Sequence, residues 1–292
     1  MITRGIVADL NDIATRVSHT QQKLSTGKEL TRPSDDPFAT GRAIGLRTEL
    51  AGLEQYQRNV DDAEAWTSVS ETALGTITDI VHSARELLLR GATGTTSVGD
   101  RNIIADEIDG LIAAVKDTAN ATYAGRSLFA GTATATTPYG TASDAYLGDG
   151  GDVVRSIGPG VSVVVNARGS DMLGDGTDGK LLNTLRDISA HLRGGTPADV
   201  AALSGGDLVG IDRSLDNVLH VRAQIGSTAS RLQAANGRLA EIEEGVRGLL
   251  SKTEDADMAA TMIDYSMQQS VYQSALRAGA GIVQVSLLDF LR

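Results

Sequence analysis

No cysteine occurs among the 292 residues. Disulfides, zinc–thiolate sites and a cysteine nucleophile are excluded together. Aromatic residues make up only 3% of the chain and prolines number 5. A core with so few rings is built from close-packed Leu, Ile, Val and Ala, and scarce proline leaves room for long helices. Positive charge is also short, with 26 Lys and Arg against 37 Asp and Glu and a formal net charge of −11. That balance, without a dense basic run, argues against nucleic acid as a partner. A membrane span needs about 20 consecutive apolar residues. Even the weakly charged C-terminal segment is interrupted by Gln268, Gln269, Gln273 and Gln284, so no membrane span is expected. Arg4, Asp9 and Asp12 break the start of the chain, where an apolar signal peptide would lie. The expectation is a cytosolic protein, or one exported without a cleaved signal.

Catalytic patterns are missing as well. His19, His82, His191 and His220 fall in separate segments, with no ligand spacing among them. There is no Gly-x-Ser-x-Gly, phosphate loop or dinucleotide fingerprint. Gly148-Asp149-Gly150-Gly151-Asp152 and Gly174-Asp175-Gly176-Thr177-Asp178-Gly179 are acidic and glycine-rich. Neither carries the closing glutamate of a calcium loop. Asp-Gly pairs form turns unaided, so Asp149, Asp152, Asp175 and Asp178 are expected to be turn residues. Asn120-Ala121-Thr122 matches a glycosylation acceptor, a pattern short enough to arise by chance. No catalytic, cofactor-binding or metal residue is expected, and the chain does not read as an enzyme.

What is present is periodicity. Ile6, Leu10, Ile13, Val17, Thr20 and Leu24 alternate steps of four and three, a heptad seam that meets its first breaker at Gly27. After Pro33 comes Asp36-Pro37, an N-cap followed by proline at the first helical position. Leu46, Leu53, Val60, Thr67, Leu74, Val81 and Leu88 then recur every seven residues, with Tyr56, Ala63, Ser70, Ile77 and Ala84 three positions after members of that row. This predicts one helix from about Pro37 to Arg90. Gly91 to Gly99 reads as a loop. A shorter helix is predicted over about Asp100 to Ala121, with Ile104, Ile108, Leu111 and Val115 inward.

From Ala124 to Lys180 glycine is dense. Val153-Val154 and Val161 to Val165 are short β-type runs joined by a hairpin connection at Ser156 to Gly160. Helix resumes over about Leu181 to Leu192. Loop residues around Gly194-Gly195-Thr196-Pro197 precede a second long run. In it Ile211, Val218, Ile225, Leu232, Leu239 and Val246 recur every seven, with Val221, Thr228, Ala235, Ile242 and Leu249 three further on. The two long helices are expected to pair antiparallel.

The last segment, Asp257 to Arg292, carries two seams. Met258, Met262, Tyr265, Tyr272, Leu276, Val283 and Phe290 form one; Ile263, Met267, Val271, Ala275, Ala278, Ile282 and Val285 form the other. A helix with two apolar faces must be covered on more than one side. The fold class expected is mainly α: an elongated antiparallel coiled coil or helical bundle of N- and C-terminal helices with a small central β-hairpin region. Its domains nest, with residues 1–30 and 254–292 as terminal polymerisation helices. Residues 31–132 and 181–253 form the long-helix bundle, and 133–180 a β-rich Gly/Asp insert. The candidate assembly interface takes Ile6, Leu10, Ile13, Val17 and Leu24 from one end. From the other it takes Tyr272, Leu276, Ile282, Val285, Leu287, Leu288, Phe290 and Leu291.

Certain residues carry a resemblance. Leu24-Ser25-Thr26-Gly27-Lys28, followed by Pro33-Ser34-Asp35-Asp36-Pro37, is similar to the N-terminal region of the bacterial flagellin family. Arg126 to Thr132, Ser274 to Ala280 and the ending Ser286 to Leu291 resemble the family's hook–filament junction branch, the type 3 hook-associated proteins. The resemblance spans about the first 132 and last 40 residues. It implies a structural protein exported unfolded by the flagellar type III route to an extracellular site on the flagellum. Its implied partners are the type 1 hook-associated protein on the hook side, flagellin on the filament side and copies of itself. An export chaperone would hold its C-terminal region before secretion. A filament-forming flagellin and a soluble coiled-coil signalling module are the alternative readings.

Overall fold

The computed structural model describes residues 2–94 and 96–290, with the side chains of residues 2–4, 6, 279 and 281–290 outside the description. The fold is mainly α. Helix α1 spans Ile2–Thr26, α2 Pro37–Gly91, α3 Val98–Ala119, α4 Gly169–Met172, α5 Leu181–Gly194, α6 Pro197–Ser204, α7 Gly206–Glu254 and α8 Met258–Phe290. Strands β1 (Thr122–Tyr123) and β2 (Arg126–Ser127) form one antiparallel pair, and β3 (Val154–Gly158) and β4 (Val161–Val164) another. The chain folds as two compact units, one of Met1–Leu53 with Glu241–Arg292 and one of Glu54–Ala240.

In the unit of Glu54–Ala240 the long helices bury the rows read from the sequence. Val60, Thr67, Leu74, Val81 and Leu88 of α2 are buried, as are Ala63, Ser70, Ile77 and Ala84. From α7 come Ile211, Val218, Ile225, Leu232 and Leu239. Ion pairs and amide contacts set the direction of the pairing: Gln57 donates to Asn236 at 2.7 Å, Arg222 to Glu71 at 2.6 Å and Arg85 to Asp212 at 2.7 Å. One residue number rises while its partner's falls, so the helices run antiparallel. Trp66 is fully buried and meets Tyr123 edge-on, with ring centroids 6.1 Å apart.

Helix α3 packs on α5. It starts at Val98, two residues ahead of the predicted start, because the Ser97 hydroxyl accepts from the Asp100 amide at 3.1 Å as an N-cap. Its inward residues are Ile104, Ile108, Ile112 and Val115, while Leu111 is half-buried. Phase explains that substitution, because Ile112 follows Ile108 by four on the same side of the helix. Between α5 and α7, where the sequence predicts loop residues around Gly194 to Pro197, stands a short helix. Thr196 and Asp199 form a capping box with Pro197 at the first helical position, and α6 runs until Gly205.

The β region contains the predicted hairpin with a tighter turn. Val154 pairs with Val164, Arg155 with Val163 and Ser156 with Ser162. Ser156 to Gly158 therefore belong to the strand, and only Pro159-Gly160 makes the reversal, Gly160 at φ +68° as a turn of this kind needs. The β1–β2 pair was not expected. It closes through Ala124 and Gly125, both at positive φ (48° and 75°), the geometry of a type I′ hairpin turn. Ala124 gives no sequence cue for that conformation, since alanine seldom adopts it.

The acidic glycine-rich loops are organised by their own hydrogen bonds. Asp149 accepts from the Thr132 amide at 2.6 Å, the Thr132 hydroxyl at 2.5 Å and the Gly151 amide at 3.0 Å. Asp175 accepts from the amide and hydroxyl of Thr177 at 3.0 and 2.9 Å. Asp178 accepts from the Lys180 amide at 3.3 Å, and Asp152 is paired with Arg168 at 2.5 Å. These are turn roles. The Thr132 hydroxyl and neighbouring amides hold Asp149 below the ordinary carboxylate value, and the Thr177 amide and hydroxyl do the same for Asp175. Nearby, Lys116 is buried and donates to Thr141 O, Ser143 O and Asp144 at 2.8–3.2 Å, and Arg186 also binds Asp144.

Candidate assembly interface

In the unit of Met1–Leu53 with Glu241–Arg292, α1 and α8 lie against each other. Gly27 stops α1 in the left-handed conformation (φ +68°), its amide bonded to Lys23 O at 2.8 Å. At the same end of the pair, Asp257 caps the start of α8 by accepting from the Ala259 and Ala260 amides at 2.9 and 3.1 Å. The segments next to these caps are tied together. Lys28 bridges Asp255 as in an antiparallel ladder, with Glu29 N donating to Glu254 O at 2.7 Å and Ala256 N to Gly27 O at 2.9 Å. The end of α1 thus meets the start of α8, and the helices diverge in chain direction from that point. Glu254 is buried and receives both Lys28 and Arg47. A buried carboxylate is stable only with such partners.

The preceding turn is equally ordered. Asp35 accepts from the Thr31 hydroxyl at 3.0 Å and the Arg32 amide at 2.8 Å, with His19 at 3.4 Å. Burial works to raise the Asp35 carboxyl, but these hydrogen bonds together hold it below the usual carboxylate range. Asp36 then accepts from Ala39 N at 2.9 Å and starts α2 at Pro37, as its Asp-Pro sequence predicts.

The side of α1 that faces α8 is the seam read from its spacing. Leu10, Ile13, Val17 and Leu24 are half-buried and Thr20 is buried. On α8 the matching positions are Thr261, buried, and Tyr265, Gln268, Tyr272 and Ala275, half-buried. Their spacing alternates four and three, as a seam requires. Thr20 donates to Gln268 Oε1 across the pair at 3.0 Å. Beside this contact runs an open cleft of about 470 Å³ with Arg16, His19 and Lys23 on one wall and Asp257 and Asp264 on the other.

Other large apolar residues among the described part of α8 point elsewhere. Met258, Met262, Ile263, Met267, Val271 and Leu276 are exposed. Of the residues read from the sequence as interface, Leu10, Ile13, Val17, Leu24 and Tyr272 are drawn together, and Leu276 faces away from them. The side chains of Ile6, Ile282, Val285, Leu287, Leu288 and Phe290, and the whole of Leu291, lie outside the described residues. The polar members Thr261 and Gln268 were missed. Their signal was available, since Gln268 falls three after Tyr265 and four before Tyr272, but a search for apolar rows passes over a glutamine.

Among the described residues no group of three or more His, Asp or Glu side chains could hold a metal ion, and no helix is long and apolar enough to cross a membrane. Among the described residues, α1 and α8 meet along one seam, and large apolar side chains of α8 outside that seam are exposed.

Such a pair, joined to long helices by capped turns, defines a class. Residues 5–134 match the bacterial flagellin N-terminal helical region and residues 208–291 its C-terminal helical region. The chain belongs to the bacterial flagellin family, the structural proteins of the flagellum. It is 29% identical to flagellar hook-associated protein 3 of Escherichia coli strain K12, over 92% of this chain and 90% of that protein. It is 27% identical to the protein of the same name from Salmonella typhimurium, over 93% and 92%. A solved structure described as a flagellar hook-associated protein of Vibrio parahaemolyticus aligns with a TM-score of 0.70 and 27% identity, covering 76% of this chain and all of that one.

Proposed function

We propose that this chain is the adaptor of the hook–filament junction. It joins a type 1 hook-associated protein to flagellin by helical assembly of its terminal helices. The observation that carries this reading is the one-sided burial of the α1–α8 pair, with large apolar side chains of α8 facing outward. An exposed apolar surface of this kind is the mark of an interaction site. Copies of the same chain supply the lateral contacts. The interface takes the half-buried seam and the outward residues together with Ile282, Val285, Leu287, Leu288, Phe290 and Leu291. The same C-terminal segment is held by an export chaperone before the chain leaves the cell by the type III route, without a cleaved signal. Residues 31–132 and 181–253 serve as the scaffold for the polymerising ends, and the protein has no catalytic role.

The test is Leu276→Glu. Melting of the purified monomer should change by no more than about 0.5 kcal/mol, as for a surface site. Cells carrying the variant should build hooks but shed flagellin into the medium. A strongly destabilised monomer with filaments still attached would make Leu276 ordinary core and overturn the reading.

A further inference from the structure

The chain holds 5 methionines and no cysteine. With thiols absent, thioethers are the side chains a peroxide oxidises most readily. Met172 is fully buried, and Met1 lies outside the described residues. The remaining three stand within the first turns of α8: Met258 is 47% exposed, Met262 66% and Met267 58%. Their neighbours Thr261, Tyr265 and Gln268 face α1, so the thioethers lie on the sides of the helix that α1 leaves open.

We propose that Met258, Met262 and Met267 form a methionine oxidation site at which a hydroperoxide makes the outward side of α8 polar and blocks assembly. The inference rests on the reading of α8 as an assembly surface and adds a way of regulating it. The thioether sulfur attacks one oxygen of hydrogen peroxide, and the O–O bond breaks. The second oxygen leaves as hydroxide and takes the proton of the transferred hydroxyl, giving one sulfoxide and one water. Sulfur loses two electrons and peroxide gains them. The product is polar and chiral where a flexible apolar chain stood, and reductases specific for each sulfoxide epimer reverse it. The free chain is therefore vulnerable, whereas the assembled one, with this side covered, is protected.

The experiment exposes the full-length monomer to hydrogen peroxide and follows each methionine by peptide mass mapping. The three α8 methionines should oxidise at least about tenfold faster than Met172, in keeping with exposure control. Comparable rates at Met172 would overturn the proposal. Co-assembly with flagellin is then measured before oxidation, after it, and after reduction by both sulfoxide reductases. A loss of at least about tenfold that reduction restores supports the proposal. A variant with Leu at all three positions, whatever its starting level, should assemble equally well before and after peroxide. If the fully oxidised protein assembles as before, the switch is wrong while the assembly surface stands. If a variant with Glu at all three positions also assembles, both the switch and that surface are wrong.

Discussion

Helices α1 and α2 carry heptad rows of similar quality but bury them to different depths. Leu74, Val81 and Leu88 of α2 are sealed, whereas Leu10, Ile13 and Val17 of α1 are half-open. The contrast repeats within α7. Its row Ile211 to Val246 is buried throughout, yet the companion row is buried at Val221 and Ala235 and exposed at Ile242 and Leu249. Burial of a row depends on how many elements lie over it. In the unit of residues 54–240, α3, α5 and the β pairs supply cover. In the other, α1 and α8 have chiefly each other. The first arrangement seals its rows, and the second leaves large apolar side chains of α8 such as Met262, Ile263 and Met267 exposed.

The largest expected effect tests this directly. Leu74→Ala removes a fully buried side chain and should cost about 2–5 kcal/mol in urea unfolding of the full chain. Leu10→Ala, in a seam already half-hydrated, should cost less than about 1 kcal/mol. Equal losses would break the comparison between the units.

A smaller effect is set by charge. Asp144 is held below the ordinary carboxylate value, first by the Arg186 hydrogen bond and also by Lys116, against burial. Asp149, Asp175 and Asp199 in the same unit are lowered too. A lowered carboxyl stabilises fully above its unfolded value, about pH 4, and its contribution vanishes as pH falls through the lower folded value. Melting temperature should thus drop as pH is taken below about 4. Asp144→Asn should lower stability at neutral pH by about 1–3 kcal/mol, because Lys116 loses its charged partner. It should also flatten the acid dependence. An unchanged acid slope would exclude Asp144 as a main contributor.

The smallest effect sharpens the view of the loops. Ala124→Gly relieves a left-handed alanine and should raise stability by about 0.5–1 kcal/mol, read as a higher urea midpoint at unchanged slope.

The extent of α1, α2 and α5, the antiparallel partnership of the long helices and the β3–β4 hairpin were legible because each depends on local signals. Hydrophobic period marks the helix, Asp-Pro starts it and glycine ends it or turns the chain. Thr196-Pro197 to Asp199 was equally explicit as a helix start, and was passed over because α6 is too short to show a period. Ala124 could not be read, since its left-handed backbone is imposed by the strand pairing on either side.

For the candidate site, spacing identified the seam of α1 and showed that α8 has two apolar faces. It could not say which face meets α1. Only the tertiary structure decides that Thr261, Tyr265, Gln268 and Tyr272 turn inward and Met262, Ile263 and Met267 outward. The physical reason is that hydrophobic period determines that a face will be covered, while the identity of the cover depends on partners distant in the chain. Here the Thr20–Gln268 hydrogen bond and the Lys28–Asp255 strap align the two helices. They place the more polar seam inside and leave the more apolar sides of α8 facing outward.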